Sequence, residues 1–220
     1  MKKAFTLFEL VLVVIVVGIL SVAIVPRLSD DSLQKAAQQL IFHLNYTKHL
    51  AMMEDRFDAT DPTWYKTRWQ LYFSYCKVYH DERDGLCAYT IFSDKLGHHT
   101  GNPDPAEVAV NPLDTGAVLT GGMGGNLLVK YHDREATKSL NIGKKYNIQK
   151  VRMHHCGSSA KRIAFDYLGR PIVGNLATST APYQRTRILK RTCEIILTNR
   201  KGNEITVLVE PETGYVHLKS

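Results

Sequence analysis

Lys2-Lys3-Ala4-Phe5-Thr6-Leu7-Phe8-Glu9, followed from Leu10 to Val25 by a run without charged or amide side chains, is the stretch that decides how this chain is read. As a helix, residues 5–25 would be roughly 31 Å long at 1.5 Å per residue, which matches the hydrocarbon thickness of a bilayer. Lys2 and Lys3 then stay cytoplasmic and the remainder lies across the membrane. A secretory signal peptide fits poorly, because the run is long and ends Ala23-Ile24-Val25-Pro26-Arg27, without a small-x-small cleavage site. A plain signal anchor explains the run but not Glu9. A carboxylate within an apolar span costs several kcal/mol unless neutralised or paired, so it marks function. Cleavage after Ala4 would give Phe5 a free α-amino group. A neighbouring subunit could offer that amine to Glu9, favouring helices stacked at a fixed axial stagger.

Working outward, Ser29-Asp30-Asp31-Ser32 has the composition of a helix N-terminal turn. Leu33, Ala37, Leu40, Ile41, Leu44 and Ala51 then form the apolar stripe of an amphipathic helix. Its plain meaning is packing on a sheet. Residues 54–66 read as a loop. Strands are expected at 69–75, 87–92, 127–131, 150–153 and 163–165, with a closing hairpin at 193–198 and 205–209 and a last strand at 215–218. The Pro- and Gly-rich span 93–125 reads as long loops. One long helix followed by strands predicts an α+β fold: a helix with a membrane half and an amphipathic half, the latter packed on an antiparallel β-sheet domain. The boundaries are 1–4 for a leader, 5–26 for the membrane and assembly helix, 27–56 for the amphipathic helix, and 57–220 for the β-rich domain.

The opening residues resemble the class III signal of type IV pilins and type II secretion pseudopilins. Leu33–Met52, Arg162–Pro171 and the closing Glu212-Thr213-Gly214-Tyr215-Val216 resemble the GspH/FimT-type minor pseudopilins. The resemblance covers about residues 1–53 and 160–220, and the middle third matches no pattern. It implies cleavage by a prepilin peptidase between Ala4 and Phe5, N-methylation of Phe5, and assembly through the apolar helix with Glu9 setting register. It implies a single-pass protein of the bacterial inner membrane with its C-terminal domain in the periplasm. Its partners would be other pilin-like subunits, the peptidase and an inner-membrane assembly platform. Two departures stand out. Ala4 occupies a position where the family prefers Gly, which predicts slower cleavage, and Lys48 stands where the subfamily usually has Arg.

The chain has 220 residues of ordinary composition, enough for one domain plus an appendage. That excludes a collagen, a disordered tail and a multi-span membrane protein. In an oxidising compartment Cys76, Cys87, Cys156 and Cys193 are disulfide candidates. Cys76 with Cys87 across a turn and Cys156 with Cys193 is one of three possible connectivities. A zinc site would need His154-His155-Cys156 with His98-His99, without the usual ligand spacings. Asp94, Asn102, Asp104 and Glu107 could offer oxygens to Ca²⁺, though not at EF-hand spacing; otherwise no cofactor is expected. No nucleophile, phosphate-loop or metallohydrolase motif occurs, so a non-enzymatic role is expected. The remaining enzymatic reading would rest on His154 and His155.

Charge is uneven. Residues 1–140 carry 14 Lys+Arg and 16 Asp+Glu, whereas residues 141–220 carry 14 and 5. The C-terminal surplus could attract polyanions, or mate with an acidic neighbouring subunit. The resemblance raises DNA as a partner, because some FimT-like minor pilins take it up, although the C-terminal arginine motif is lacking here. Arg185, Arg187, Lys190 and Arg191 are the candidate DNA contacts. The leading expectation is a filament subunit of a secretion or pilus machine, and the second a DNA-uptake (competence) minor pilin.

Overall fold

The computed structural model describes residues 7–76, 87–95, 97, 99–122, 129–157 and 161–219, without the side chains of residues 20–30. Met1–Thr6, the turn expected at Asp84-Gly85, His98 and Leu127–Leu128 lie outside the described residues.

Helix α1 (Leu7–Met53) is a single element of 47 residues. The cap-like stretch 29–32 lies inside it, so the expected N-terminal turn there is corrected: the backbone runs on through Pro26 and the acidic residues. Helix-forming sequence flanks this stretch on both sides, and local capping chemistry starts a helix only where no preceding turn already supplies the hydrogen bonds. The helix ends at Met53 rather than 56. Its second half uses the expected stripe. Leu33, Ala37, Leu40, Leu44 and Ala51 are buried, as is Ala36, and Ile41 packs beside them.

The β-rich part forms two four-stranded antiparallel sheets. The first has the order β2-β1-β6-β7, from β1 (Gln70–Ser74), β2 (Ala88–Phe92), β6 (Arg162–Phe165) and β7 (Pro171–Val173). The second has the order β10-β9-β8-β5, from β5 (Ile148–His154), β8 (Cys193–Asn199), β9 (Glu204–Val209) and β10 (Val216–Leu218). The second half of α1 contacts β1 and β6 of the first sheet and β8, β9 and β10 of the second. Leu71, Phe73, Tyr89, Ile91, Ile163 and Phe165 from one sheet meet Ile195, Leu197, Val207 and Val209 from the other in one core with the helix stripe. This is the mixed α+β architecture the element order implies.

The strands expected at 69–75, 87–92, 150–153, 163–165, 193–198, 205–209 and 215–218 all form, within one or two residues. The span 93–125 is corrected. It holds a short hairpin of β3 (Val110–Asn111) and β4 (Asp114–Val118), and residues 108–121 run along the edge of β2. Ala109 N donates to Ile91 O and Ile91 N donates to Leu119 O. Residues 129–131 are not a strand. Two further elements are β7 and the short helix α2 (Ile142–Tyr146), which Asn141 caps by accepting from Lys144 N. Proline at the first position of β7 leaves no ladder donor there, which a first-position residue tolerates.

Of the three connectivities the sequence leaves open, the structure has Cys76–Cys87 and Cys156–Cys193. The hairpin β8–β9 turns on Asn199, whose Oδ1 accepts from Lys201 N and Asn203 N at 2.9 and 3.0 Å.

Candidate functional site

The first half of α1 presents an apolar surface that the rest of the chain does not cover. Leu7, Phe8, Leu10, Val11, Leu12, Val13, Val14, Ile15, Val16, Val17 and Ile19 are all exposed, from 45% for Val11 to 84% for Leu7. Burying such side chains is worth about 1.5–3 kcal/mol each, or roughly 15–30 kcal/mol for the set. A carboxylate costs about 3 kcal/mol at the centre of such a medium. Apolar transfer therefore outweighs Glu9 several-fold, and the helix can carry the acid into an apolar environment. Among the described residues no helix is long and apolar enough to cross a membrane. The described side chains of the apolar run stop at Ile19, and Ala4 and Phe5 lie outside the described residues.

At the other end of α1, the three segments that resemble the GspH/FimT-type proteins meet. Lys48 donates from Nζ to Gly214 O at 3.3 Å. Its aliphatic stem lies against two turns whose glycines have positive φ, 79° at Gly169 and 57° at Gly214. A methyl group on Gly169 would come within 3.1 Å of Lys48 Cδ, and one on Gly214 within 2.3 Å of Gly169 O. Both turns therefore favour glycine on conformational and steric grounds. Above this contact, a buried polar chain ties the helix to β2 and α2. Gln39 Nε2 donates to Tyr89 Oη at 2.8 Å and to Ser139 O at 2.9 Å, and Gln39 Oε1 accepts from Tyr146 Oη at 2.8 Å. Tyr89 Oη lies 2.7 Å from His43 Nδ1. Burial lowers the His43 pKa to about 4. Its ring is thus neutral at ordinary pH and hydrogen-bonded to the tyrosine hydroxyl across this contact. Burial likewise pushes the Tyr89 hydroxyl upward, so it keeps its proton.

A third feature is an open groove of about 360 Å³ between residues 155–157 and 185–191. Arg185, Lys190 and Arg191 line it, as does His155. Val173, Ile188 and Leu189 give it an apolar floor. The Cys156–Cys193 disulfide ties the 155–157 segment to the start of β8, two residues beyond Arg191. Of the four expected DNA contacts, Arg187 does not belong. Its Nη2 donates to Thr178 Oγ1 at 2.6 Å and its Nε to Gln184 Oε1 at 3.2 Å. His155 was legible only as a histidine pair with His154. The apolar pair Ile188-Leu189 inside a basic run was the signal for the floor.

Five other cations of the surplus are engaged elsewhere. Arg152 pairs with Glu204, Arg170 with Asp166 and Lys219 with Glu194. Lys161 donates to Cys76 O. Arg162 is buried, stacks on Tyr72 and donates to Gly101 O. Residues weighed above as metal ligands also have protein partners. Cys156 is bonded to Cys193, which removes its thiolate. Asp94 accepts from Gly101 N at 2.7 Å, and Glu107 accepts from Lys95 N and Asp104 N at 2.7 and 3.0 Å. Among the described residues no group of three His, Cys, Asp or Glu is placed to hold a metal ion.

No protein-family model, no curated protein and no solved structure matches this chain.

Proposed function

We propose that this protein is a membrane-anchored, pilin-like structural subunit, a minor pseudopilin of a type II secretion or type IV pilus machine. In this reading residues 5–25 span the bacterial inner membrane and the β-rich domain faces the periplasm. A prepilin peptidase cuts between Ala4 and Phe5, and the new Phe5 amine is methylated. The subunit then moves from lipid into a helical bundle of pilin-like neighbours, with Glu9 paired to the terminal amine of the next subunit. The assembly platform supplies the work of extraction, and no catalytic step is assigned to this chain.

The observation that carries the reading is the division of α1. Its second half is buried by the chain's own sheets, while its first half is apolar, exposed and carries one carboxylate near its start. Such a surface needs an apolar partner, first lipid and then neighbouring helices. The meeting of Lys48, Gly169 and Gly214 supports the same reading, because the three resembling segments are one contact in space. The DNA-uptake reading draws less support, since the groove offers three arginine and lysine side chains rather than a stripe of cations. Glu9→Ala in the full chain tests the proposal. We expect membrane insertion and a folded domain but loss of incorporation into the filament, scored in sheared filament fractions. Normal incorporation would overturn the role of Glu9.

A further inference from the structure

We propose that the groove between residues 155–157 and 185–191 receives the acidic loop 54–61 of a second copy of this chain. Arg185, Lys190 and Arg191 are exposed, and none makes an ion pair with a described carboxylate. Six other cations of the basic third, Arg152, Lys161, Arg162, Arg170, Arg187 and Lys219, are paired or hydrogen-bonded, and Lys144, Lys145, Arg200 and Lys201 are exposed outside the groove lining, so the groove itself offers a compact set of three. A duplex nucleic acid is held by many phosphate contacts in series, and three cations over an apolar floor suit a compact partner better. The groove has no Phe, Tyr or Trp ring on which a base could stack, and His155 is its one aromatic side chain.

The complementary surface lies on the same chain. After α1 the loop runs Glu54-Asp55-Arg56-Phe57-Asp58-Ala59-Thr60-Asp61. Arg56 pairs with Glu54, leaving Asp55, Asp58 and Asp61 without a described lysine or arginine partner. Each of the three turns one oxygen to its own loop. Asp55 Oδ1 accepts from Phe57 N, Asp58 Oδ1 from Thr60, and Asp61 Oδ1 from Thr63. The bonds from the Thr60 and Thr63 hydroxyls hold the Asp58 and Asp61 carboxyls below their ordinary range, so both stay ionised. Phe57 stands between these acids and is 61% exposed. Three carboxylates around one aromatic ring thus match three cations around an apolar floor.

Loop and groove are different surfaces of one subunit, so their contact is heterologous and repeats from copy to copy instead of closing a pair. That deepens the assembly reading by adding a contact between periplasmic domains, and it can fail separately from the role of Glu9. The test uses the full chain in detergent, with self-association followed by sedimentation at low and high salt. Arg185→Glu with Arg191→Glu should weaken association roughly tenfold or more, as should Asp55→Lys with Asp58→Lys. Mixing the two reversed variants should restore it, a result that misfolded variants could not give. Unchanged association in either variant, or no rescue on mixing, would overturn the proposal. So would self-association that ignores the reversals while duplex DNA binding is lost on Arg185→Glu with Arg191→Glu, which would assign the groove to nucleic acid. Glu9→Ala should leave this salt-sensitive association intact.

Discussion

The two halves of α1 share one backbone and a similar store of apolar side chains, yet they are solved in opposite ways. From Leu33 to Ala51 the apolar residues recur on one stripe and polar residues fill the rest, so the chain's own two sheets bury them. From Leu7 to Ile19 every residue except Glu9 and Gly18 carries an apolar side chain, and the exposed apolar residues do not fall on one stripe. In the assembly reading proposed above, such a surface is covered first by lipid and then by neighbouring helices. Stability of the domain should therefore depend on the second half alone, and placement and assembly on the first.

The sharpest way to break this division is to trim one side chain in each half. Leu40→Ala should lower domain stability by about 2–5 kcal/mol, because Leu40 is fully buried. Val14→Ala should leave the domain transition unchanged, as followed by near-ultraviolet circular dichroism of the full chain in detergent. Equal effects would mean that the halves are energetically one unit. Next in size, Cys156→Ser with Cys193→Ser should cost about 2–4 kcal/mol. It should also loosen the groove walls, seen as weaker salt-sensitive association, while cofractionation with membranes stays the same.

A third test uses pH. Folded His43 has a pKa of about 4 against an ordinary value near 6.5, so the unfolded chain binds the proton first as pH falls. The neutral-histidine contribution is complete above about pH 6.5 and declines towards pH 4, by about 3 kcal/mol in all. His43→Gln should flatten that slope in urea titrations across this range. An unchanged slope would show that the junction of helix, β2 and α2 is not the acid-sensitive point.

Much of this division is legible in the order of residues, and the rest is not for physical reasons. Glu9 stands out because nothing else charged lies near it in the run. The hairpin of β8 and β9 is visible because two short apolar runs rich in β-branched residues, Ile195-Ile196-Leu197 and Val207-Leu208-Val209, flank a turn at Gly202. β3, β4, β7 and α2 are too short to show a period, and bonds from distant segments hold them in place, such as Val173 N to Arg187 O. Arg185 and Arg187 look alike two residues apart. Only the fold separates them, by giving Arg187 the partners Gln184 and Thr178. His43 and Gln39 sit beside the apolar stripe as ordinary polar helix residues until Tyr89 and Tyr146 come to meet them.

The account rests on a processed N-terminus that lets the exposed half of α1 pack against its neighbours. Mass spectrometry of the full protein extracted from membranes of a host with a prepilin peptidase reads this directly. The account predicts a mature chain beginning at methylated Phe5. A population that begins only at Met1 would contradict it.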